Sequence, residues 1–140
     1  MDRFQELLWD LGELIEVPLH ADKNNACKLI LDQKLTLQLE MDQYDQKLLI
    51  TSFISELPPG KFREDILKNA LKVNGMRHSF GVFSYIESNN FLILHQYFHV
   101  DNLSREKLAE YLESLIQEAE EWRSAISNGH SSPNKYEHPL

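Results

Sequence analysis

The sequence is poor in cysteine, and this scarcity limits the kinds of site that it can hold. Among 140 residues there is one cysteine, Cys27, which has no partner for an internal disulfide. A structural zinc site built on thiol pairs is excluded for the same reason. A reducing compartment, most simply the cytoplasm, is therefore the predicted location.

Long apolar runs are also missing. No run approaches the roughly 18–20 residues that cross a membrane as a helix. The first ten residues are polar and acidic, so no basic region leads into the apolar core of a secretory signal. We therefore expect a protein that stays inside the cell that makes it and has no membrane partner.

Positive charge is scarce. The 14 Lys and Arg residues are outnumbered by 22 Asp and Glu, which gives a formal net charge of −8. Nucleic-acid binding requires a basic stripe, and the few cations of the segment 61–72 are balanced by Glu64 and Asp65. The acidic balance predicts a soluble protein with a neutral or basic partner and no nucleic-acid partner.

Glycine-rich loops are absent too. The five glycines, Gly12, Gly60, Gly75, Gly81 and Gly129, form neither a Gly-x-Gly-x-x-Gly motif nor a phosphate-binding loop. We therefore predict no nucleotide site and no cofactor. The carboxylates of the first and last helical segments are spaced along outward faces, which is typical of a solvated surface rather than of an acid–base pair.

The histidines and the single thiol leave an enzyme as an alternative. His95 and His99 lie four residues apart in a predicted strand, on one face but roughly 13 Å from each other, which is too far for one metal ion. His78 joins them only if the fold brings it close. Cys27 falls on the apolar alternation of a strand, so we expect a buried thiol, with a Cys27–His nucleophile pair as the alternative.

Hydrophobic periodicity predicts the secondary structure of the first half. Apolar residues at spacings of three and four predict a helix from Phe4 to Ile15, with Asp2 as its N-cap and Val17-Pro18 as its stop. From Cys27 the period changes to two. Alternation over residues 27–32 and 35–41 predicts a hairpin, and the apolar run 48–54 predicts a central third strand.

The second half returns to a helix and then to strands. Helical spacing from Phe62 to Val73 ends at Asn74-Gly75, a typical C-terminal cap. Strands are predicted over residues 80–86 and 91–100. A long last helix follows, with caps offered by Asp101, Asn102 and Ser104 and an apolar stripe from Leu108 to Ile126.

The order of elements predicts the fold class. The pattern α-β-β-β-α-β-β-α indicates an α+β domain with a twisted antiparallel sheet flanked by helices, because strands adjoin one another instead of alternating strictly with helices. The domain covers residues 1–127. Residues 128–140 show no period and are predicted to be a mobile C-terminal tail.

Several local strings resemble a known family. The chain to about Ile126 resembles the class I type III secretion chaperones, small acidic dimers of the bacterial cytoplasm, and is most similar to the specific chlamydial chaperones. The similar strings are Phe4-Gln5-Glu6-Leu7-Leu8 with Leu11-Gly12, Asn25-Ala26-Cys27, Ile66 to Leu71, Gly81 with Tyr85, Glu87 to Asn90, Leu92-Ile93-Leu94, Lys107 to Leu112 and Glu121-Trp122-Arg123. The first hairpin turn lacks the glycine of many relatives, which affects the expected turn type.

The resemblance implies binding without catalysis. Such chaperones hold the N-terminal region of a secreted effector or gatekeeper protein extended around their surface and keep it soluble and competent for export. An edge strand offers unpaired backbone groups to which an extended peptide adds, and apolar pockets take its side chains. The implied partners are this cargo, a second copy or a related chaperone in a heterodimer, and the secretion ATPase.

The resemblance also implies two sets of site residues. Family dimers pack the middle helix and the fourth strand across a two-fold axis, which corresponds here to Phe62, Ile66, Leu67, Ala70, Leu71, Phe80 and Val82. The alternative is that these residues only cover the chain's own sheet. The cargo surface is expected on the first helix and the first hairpin, at Phe4, Leu8, Trp9, Leu29, Leu31, Leu35 and Leu37, of which at least half are expected to be ordinary core.

Two other functions stay open from the residues alone. One is a small cytoplasmic enzyme that uses Cys27 or a histidine pair. The other is an acidic regulatory protein whose helices bind the transcription machinery.

Overall fold

The structure, a computed structural model, describes residues 2–31, 34–42, 44, 46–76 and 80–136. Within these residues, three helices and five strands follow one another in the predicted order α-β-β-β-α-β-β-α, so the α+β class is confirmed. Two short 3₁₀ turns lie at residues 100–102 and 134–136. The elements are α1 (Arg3–Ile15), β1 (Ala26–Leu31), β2 (Leu35–Met41), β3 (Lys47–Glu56), α2 (Lys61–Asn74), β4 (Val82–Ile86), β5 (Phe91–His99) and α3 (Arg105–Ser127).

Side-chain caps set where two of the helices begin. The Asp2 carboxylate accepts a hydrogen bond from the Gln5 backbone at 2.8 Å, which satisfies a donor that the first helical turn leaves free. The Ser104 hydroxyl accepts a hydrogen bond from the Lys107 backbone N–H at 3.2 Å. Of the three predicted caps, Asp101, Asn102 and Ser104, it is Ser104 that caps α3. α1 ends at Ile15, just before Val17-Pro18, as predicted.

All five strands form one antiparallel sheet in the order β1-β2-β3-β5-β4. β1 and β4 are therefore its two edges. β4 begins at Val82 and not at the predicted Phe80. Gly81 (φ 156°), just before this strand, passes so close to β5 that a Cβ there would lie 2.5 Å from the His95 carbonyl oxygen, which favours glycine at this position. The predicted first turn at Asp32-Gln33 and His78 lie outside the described residues.

The core lies between one face of the sheet and the three helices. Alternate residues of β2, all buried, face the helices, and the same face of the other strands supplies further buried side chains. Trp122 of α3 is fully buried and packs on Phe83 of β4, with 4.7 Å between ring centroids. Representative members of this core are Phe4, Leu11, Leu37, Ile50, Ile66, Leu94, Leu115 and Trp122.

The opposite face of the sheet carries half-buried and exposed side chains. Phe53, Ile93 and Tyr97 lie on it, the last 59% exposed. A β-bulge shifts the register of β3 against β5 between Phe53 and Ser55.

Residues 130–136, here called the C-terminal segment, lie against α2 and α3. The Glu118 carboxylate on α3, 2% exposed, accepts hydrogen bonds from Trp122 Nε1 at 3.1 Å, from Lys135 Nζ at 2.5 Å and from the Tyr136 hydroxyl. On the other side, Asn69 of α2 donates to the Ser131 hydroxyl at 2.9 Å. The predicted mobility of residues 128–140 stays a prediction, and residues 137–140 lie outside the described part of the chain.

Candidate functional site

Helix α2 carries two neighbouring apolar rows that lie in different surroundings. Ile66 and Ala70 belong to the row that packs on the sheet, and they are 0% and 3% exposed. Leu67 and Leu71 form the adjacent row, because residues four apart lie on one helix face. Leu67 is half-buried and Leu71 is 68% exposed, so this second row reaches the surface.

Strand β4 and the residues just before it carry two further exposed apolar side chains. Val82 is 45% exposed and Phe80 39%. Together with Leu67 and Leu71 they make up what we call the α2–β4 surface. A hollow of about 170 Å³ lies within it, and its lining is almost wholly apolar: Leu67, Ala70, Leu71, Phe83, Ser84, Tyr85 and Leu92.

Two polar side chains hold this surface in place. The Asn74 side chain accepts from the Phe83 backbone N–H at 2.7 Å and donates to the Phe83 carbonyl at 3.0 Å, which joins the end of α2 to β4. The Tyr111 hydroxyl of α3 donates to the Phe80 carbonyl at 2.5 Å. Burial raises the pKa of Tyr111, so this hydroxyl keeps its proton and stays a donor.

Sequence reasoning missed both of these positioning residues. Asn74 was interpreted as a helix cap, and Tyr111 as one member of an apolar stripe. No local signal identifies their partners, because both bonds join parts of the chain that only the fold brings together.

The seven predicted dimer residues thus divide between core and surface. Ile66 and Ala70 lie in the core, and Phe62 and Leu67 are half-buried. Leu71, Phe80 and Val82 are exposed. Their role in a dimer stays a prediction, for which the exposed members are the relevant ones.

The predicted cargo residues of α1 divide in the same way. Phe4 and Leu8 are 0% and 1% exposed and fill the core. Trp9 is 57% exposed, and its indole N–H donates to Glu13 at 2.9 Å. Trp9 also borders a cavity of about 270 Å³ that is lined further by Gln5, Leu8, Leu19, His20 and Ala21.

The first hairpin presents less of its predicted cargo face than expected. Leu35 and Leu37 are fully buried, whereas Leu29 and Leu31 of the edge strand β1 are half-buried. The most exposed apolar residue of the hairpin is Ile30, at 69%, on the opposite face. In the sequence, Ile30 occupies a position that alternation assigns to the solvent side of β1. An apolar side chain at such a position is the sequence signal of an exposed apolar site.

The residues of the enzyme alternative are placed unfavourably for it. Cys27 is 3% exposed, and its burial raises the pKa of the thiol, which disfavours the reactive thiolate. His95 contacts the Ser84 hydroxyl at 2.9 Å, and burial lowers its pKa. Within the described ranges, no three His, Cys, Asp or Glu side chains are grouped closely enough to hold a metal ion.

The comparison with protein families decides the assignment. The sequence profile of the Tir chaperone protein (CesT) family matches residues 6–123, which span α1 to most of α3. The chain belongs to the Tir chaperone protein (CesT) family. No curated protein sequence matches this family member significantly.

Solved structures share the fold over nearly the whole domain. A chain of the HopA1–SchA chaperone–effector complex is 25% identical, with a TM-score of 0.71, over 88% of this chain and 94% of that chain. A chain of the ExsC–ExsE complex is 22% identical, with a TM-score of 0.74, over 89% and 96%. A chain of the ExoT–SpcS complex from Pseudomonas aeruginosa is 16% identical, with a TM-score of 0.63, over 85% and 96%.

Membership of a chaperone family confirms the chaperone function that the resemblance implied. The similarity to chlamydial members stays a prediction. In the part of the chain that the structure describes, no helix combines the length and the apolar character needed to span a lipid bilayer.

Proposed function

We propose that the chain is a dimeric chaperone of the bacterial cytoplasm that binds the N-terminal region of a secreted effector or gatekeeper protein. It keeps this cargo soluble and competent for export, and it acts by binding without catalysis. Family membership over residues 6–123 is the observation that carries the proposal. The HopA1–SchA chaperone–effector complex, at 25% identity, supports an effector as the partner.

The α2–β4 surface supports dimerisation. It offers exposed leucine and valine side chains and an apolar hollow beside them, and water contact with such a surface is unfavourable. A second copy that presents the same surface across a two-fold axis would cover these exposed side chains and the hollow in each copy. A related chaperone with a similar surface would form the corresponding heterodimer.

The cargo surface that we propose is narrower than the set predicted from the sequence. Phe4, Leu8, Leu35 and Leu37 are committed to the core, so Trp9, Leu29 and Leu31 are the members within reach of a cargo. The last two lie on the edge strand β1, where an extended peptide adds through backbone hydrogen bonds. Cargo folding on this surface loses conformational entropy, which favours a long wrapped interface.

The remaining partners follow from this mode of action. The secretion ATPase is proposed as the acceptor of the loaded complex, and nucleic acid and membrane are proposed not to be partners. The burial of the Cys27 thiol, which raises its pKa, disfavours the enzyme alternative that uses this residue.

Co-expression with candidate secreted proteins tests the proposal. We expect one of them to become soluble only with this chain and to co-purify with two chaperone copies for each cargo. Trp9→Ser should lower the yield of the complex, because it removes an exposed aromatic anchor, whereas the matched change Tyr44→Ser, also at an exposed aromatic residue, should not. If the solubility of every candidate is independent of this chain, the proposed function is wrong.

A further inference from the structure

A groove at one end of the sheet carries charges opposite to those of the whole molecule. It has a volume of about 380 Å³ and lies where the β1–β2 hairpin, the end of β3, the start of β5 and α3 meet. Among its lining residues are Lys28, Lys34, Phe53, Glu56, Phe91 and Arg123. We call it the hairpin-end groove.

The groove is locally basic in an acidic protein. Among the described residues, its ionisable lining residues are the cations Lys28, Lys34 and Arg123 and the carboxylate Glu56, a balance of +2, whereas the chain carries −8. None of the three cations forms an ion pair with another described residue, unlike Lys61, Arg105 and Lys135. In the part of the chain that the structure describes, no carboxylate pairs with these three cations to compensate their charge.

The groove also contains an apolar part. Phe53 and Phe91 meet edge to face, with 6.4 Å between their ring centroids, and both are half-buried. Ile30, 69% exposed, lies beside the groove, because it pairs across the hairpin with the lining residue Thr36. Aromatic and aliphatic surface beside uncompensated cations suits a ligand with both apolar and anionic groups.

The edge strand β1 leads a peptide into the groove. An extended chain that pairs with β1 would run past Lys28 and Ile30 and reach the hairpin end next to Lys34. The lining residues include none of the four that define the α2–β4 surface, so the groove and the proposed dimer contact use different residues.

We propose that the hairpin-end groove binds an extended segment of the secreted partner in which carboxylates flank an apolar side chain. This inference rests on the proposed function and specifies the chemistry of one stretch of the cargo. The acidic surface elsewhere repels such a segment, so the groove also fixes where along the cargo the contact forms.

Fluorescence anisotropy with a defined peptide tests the groove. The probe is a labelled peptide of sequence Gly-Ser-Glu-Leu-Glu-Ser-Gly, measured at low ionic strength because salt screens exposed charges. We expect it to bind, and we expect the same peptide with Gln in place of Glu to bind more weakly. The double change Lys34→Gln and Arg123→Gln should weaken binding of the Glu peptide by about fivefold.

Matched variants separate the groove from general electrostatics and from misfolding. Lys23→Gln with Lys107→Gln removes the same charge at exposed sites outside the groove and should leave binding unchanged. Lys28→Gln with Lys34→Gln changes only exposed side chains and should also weaken binding, whereas Arg123→Lys should retain it.

Several results would overturn the inference. They are equal binding of the Gln and Glu peptides, an equal loss in the Lys23 and Lys107 variant, an absence of binding, or tighter groove-dependent binding of a labelled oligouridine. If the chain still solubilises its cargo in co-expression while these peptide results are negative, the proposed function stands and only the inference about the groove is wrong. If the chain solubilises no cargo, the proposed function is wrong, whether or not the peptide binds.

Discussion

The thiol of Cys27 shows how the position of one residue decides its chemistry. Desolvation raises its pKa, and the hydrogen bond with the His20 backbone, which acts in the opposite direction, is the smaller effect. The thiolate is the reactive form, so at any given pH the folded protein holds less of it than a free cysteine does.

Alkylation of Cys27 should therefore be slow in the folded protein, with a pH profile shifted upward. We expect the apparent pKa of the labelling rate to lie above the ordinary value of 9.0, because burial favours the neutral thiol. Alkylation quenched at a series of times and pH values, followed by mass spectrometry, measures this apparent pKa. The urea-unfolded chain is the control and should show the ordinary pKa of a cysteine thiol. A profile shifted below the unfolded control would revive the nucleophile interpretation.

Among the elements, the C-terminal segment makes the contacts that the sequence indicated least. Its Ser and Pro composition suggested mobility, yet Lys135 and Tyr136 are donors to a carboxylate that α3 buries. Burial on its own would lower the pKa of Lys135, and the bonds to Glu118 and Glu121 outweigh it and raise that pKa. The segment thus supplies charge and hydrogen bonds that a buried Glu118 requires.

Removing the C-terminal segment should destabilise the domain. A chain that ends at Gly129 leaves Glu118 with Trp122 as its described donor, and we expect the free energy of unfolding to fall by about 1–3 kcal/mol. Urea denaturation measures the loss. The control chain ends at Tyr136, keeps every described contact and should match the full chain. Equal midpoints for all three chains would mean that the segment contributes no stability.

The order and type of the elements were predictable, whereas the division between core and surface was not. Periodicity depends on local spacing, and it predicted β2 and α3 well because one face of each is fully buried. The family resemblance grouped Phe4 with Trp9 as cargo residues, and Ile66 with Leu71 as dimer residues, although their exposure differs widely. Which apolar row covers the chain's own sheet depends on contacts distant in sequence, such as Asn74 with Phe83.

For the molecule as a whole, the proposed dimer contact at the α2–β4 surface can be tested at Leu71. Leu71→Glu should yield monomers at concentrations where the unchanged chain is a dimer, because a carboxylate would then lie in an apolar contact. The folded monomer should keep its stability within about 0.5 kcal/mol, since Leu71 is already 68% exposed. Sedimentation velocity and urea unfolding measure these two quantities.

Tyr44→Glu is the matched control, because Tyr44 is 71% exposed and lies outside α2 and β4. It should leave the dimer intact. A Leu71→Glu protein that remains dimeric would exclude this surface as the contact, and a monomeric unchanged chain would exclude the homodimer.

In the proposed dimer, the placement of β1 and β4 at opposite edges of the sheet would set a minimum length for a cargo that pairs with both copies. Four strand spacings of about 4.8 Å separate the two edges, so joining two copies through their β4 sides leaves their β1 strands about 40 Å apart. An extended chain covers about 3.3 Å per residue. A single polypeptide that pairs with both outer strands therefore needs at least about 12 residues between its two pairing stretches, and a shorter one occupies only half of the chaperone.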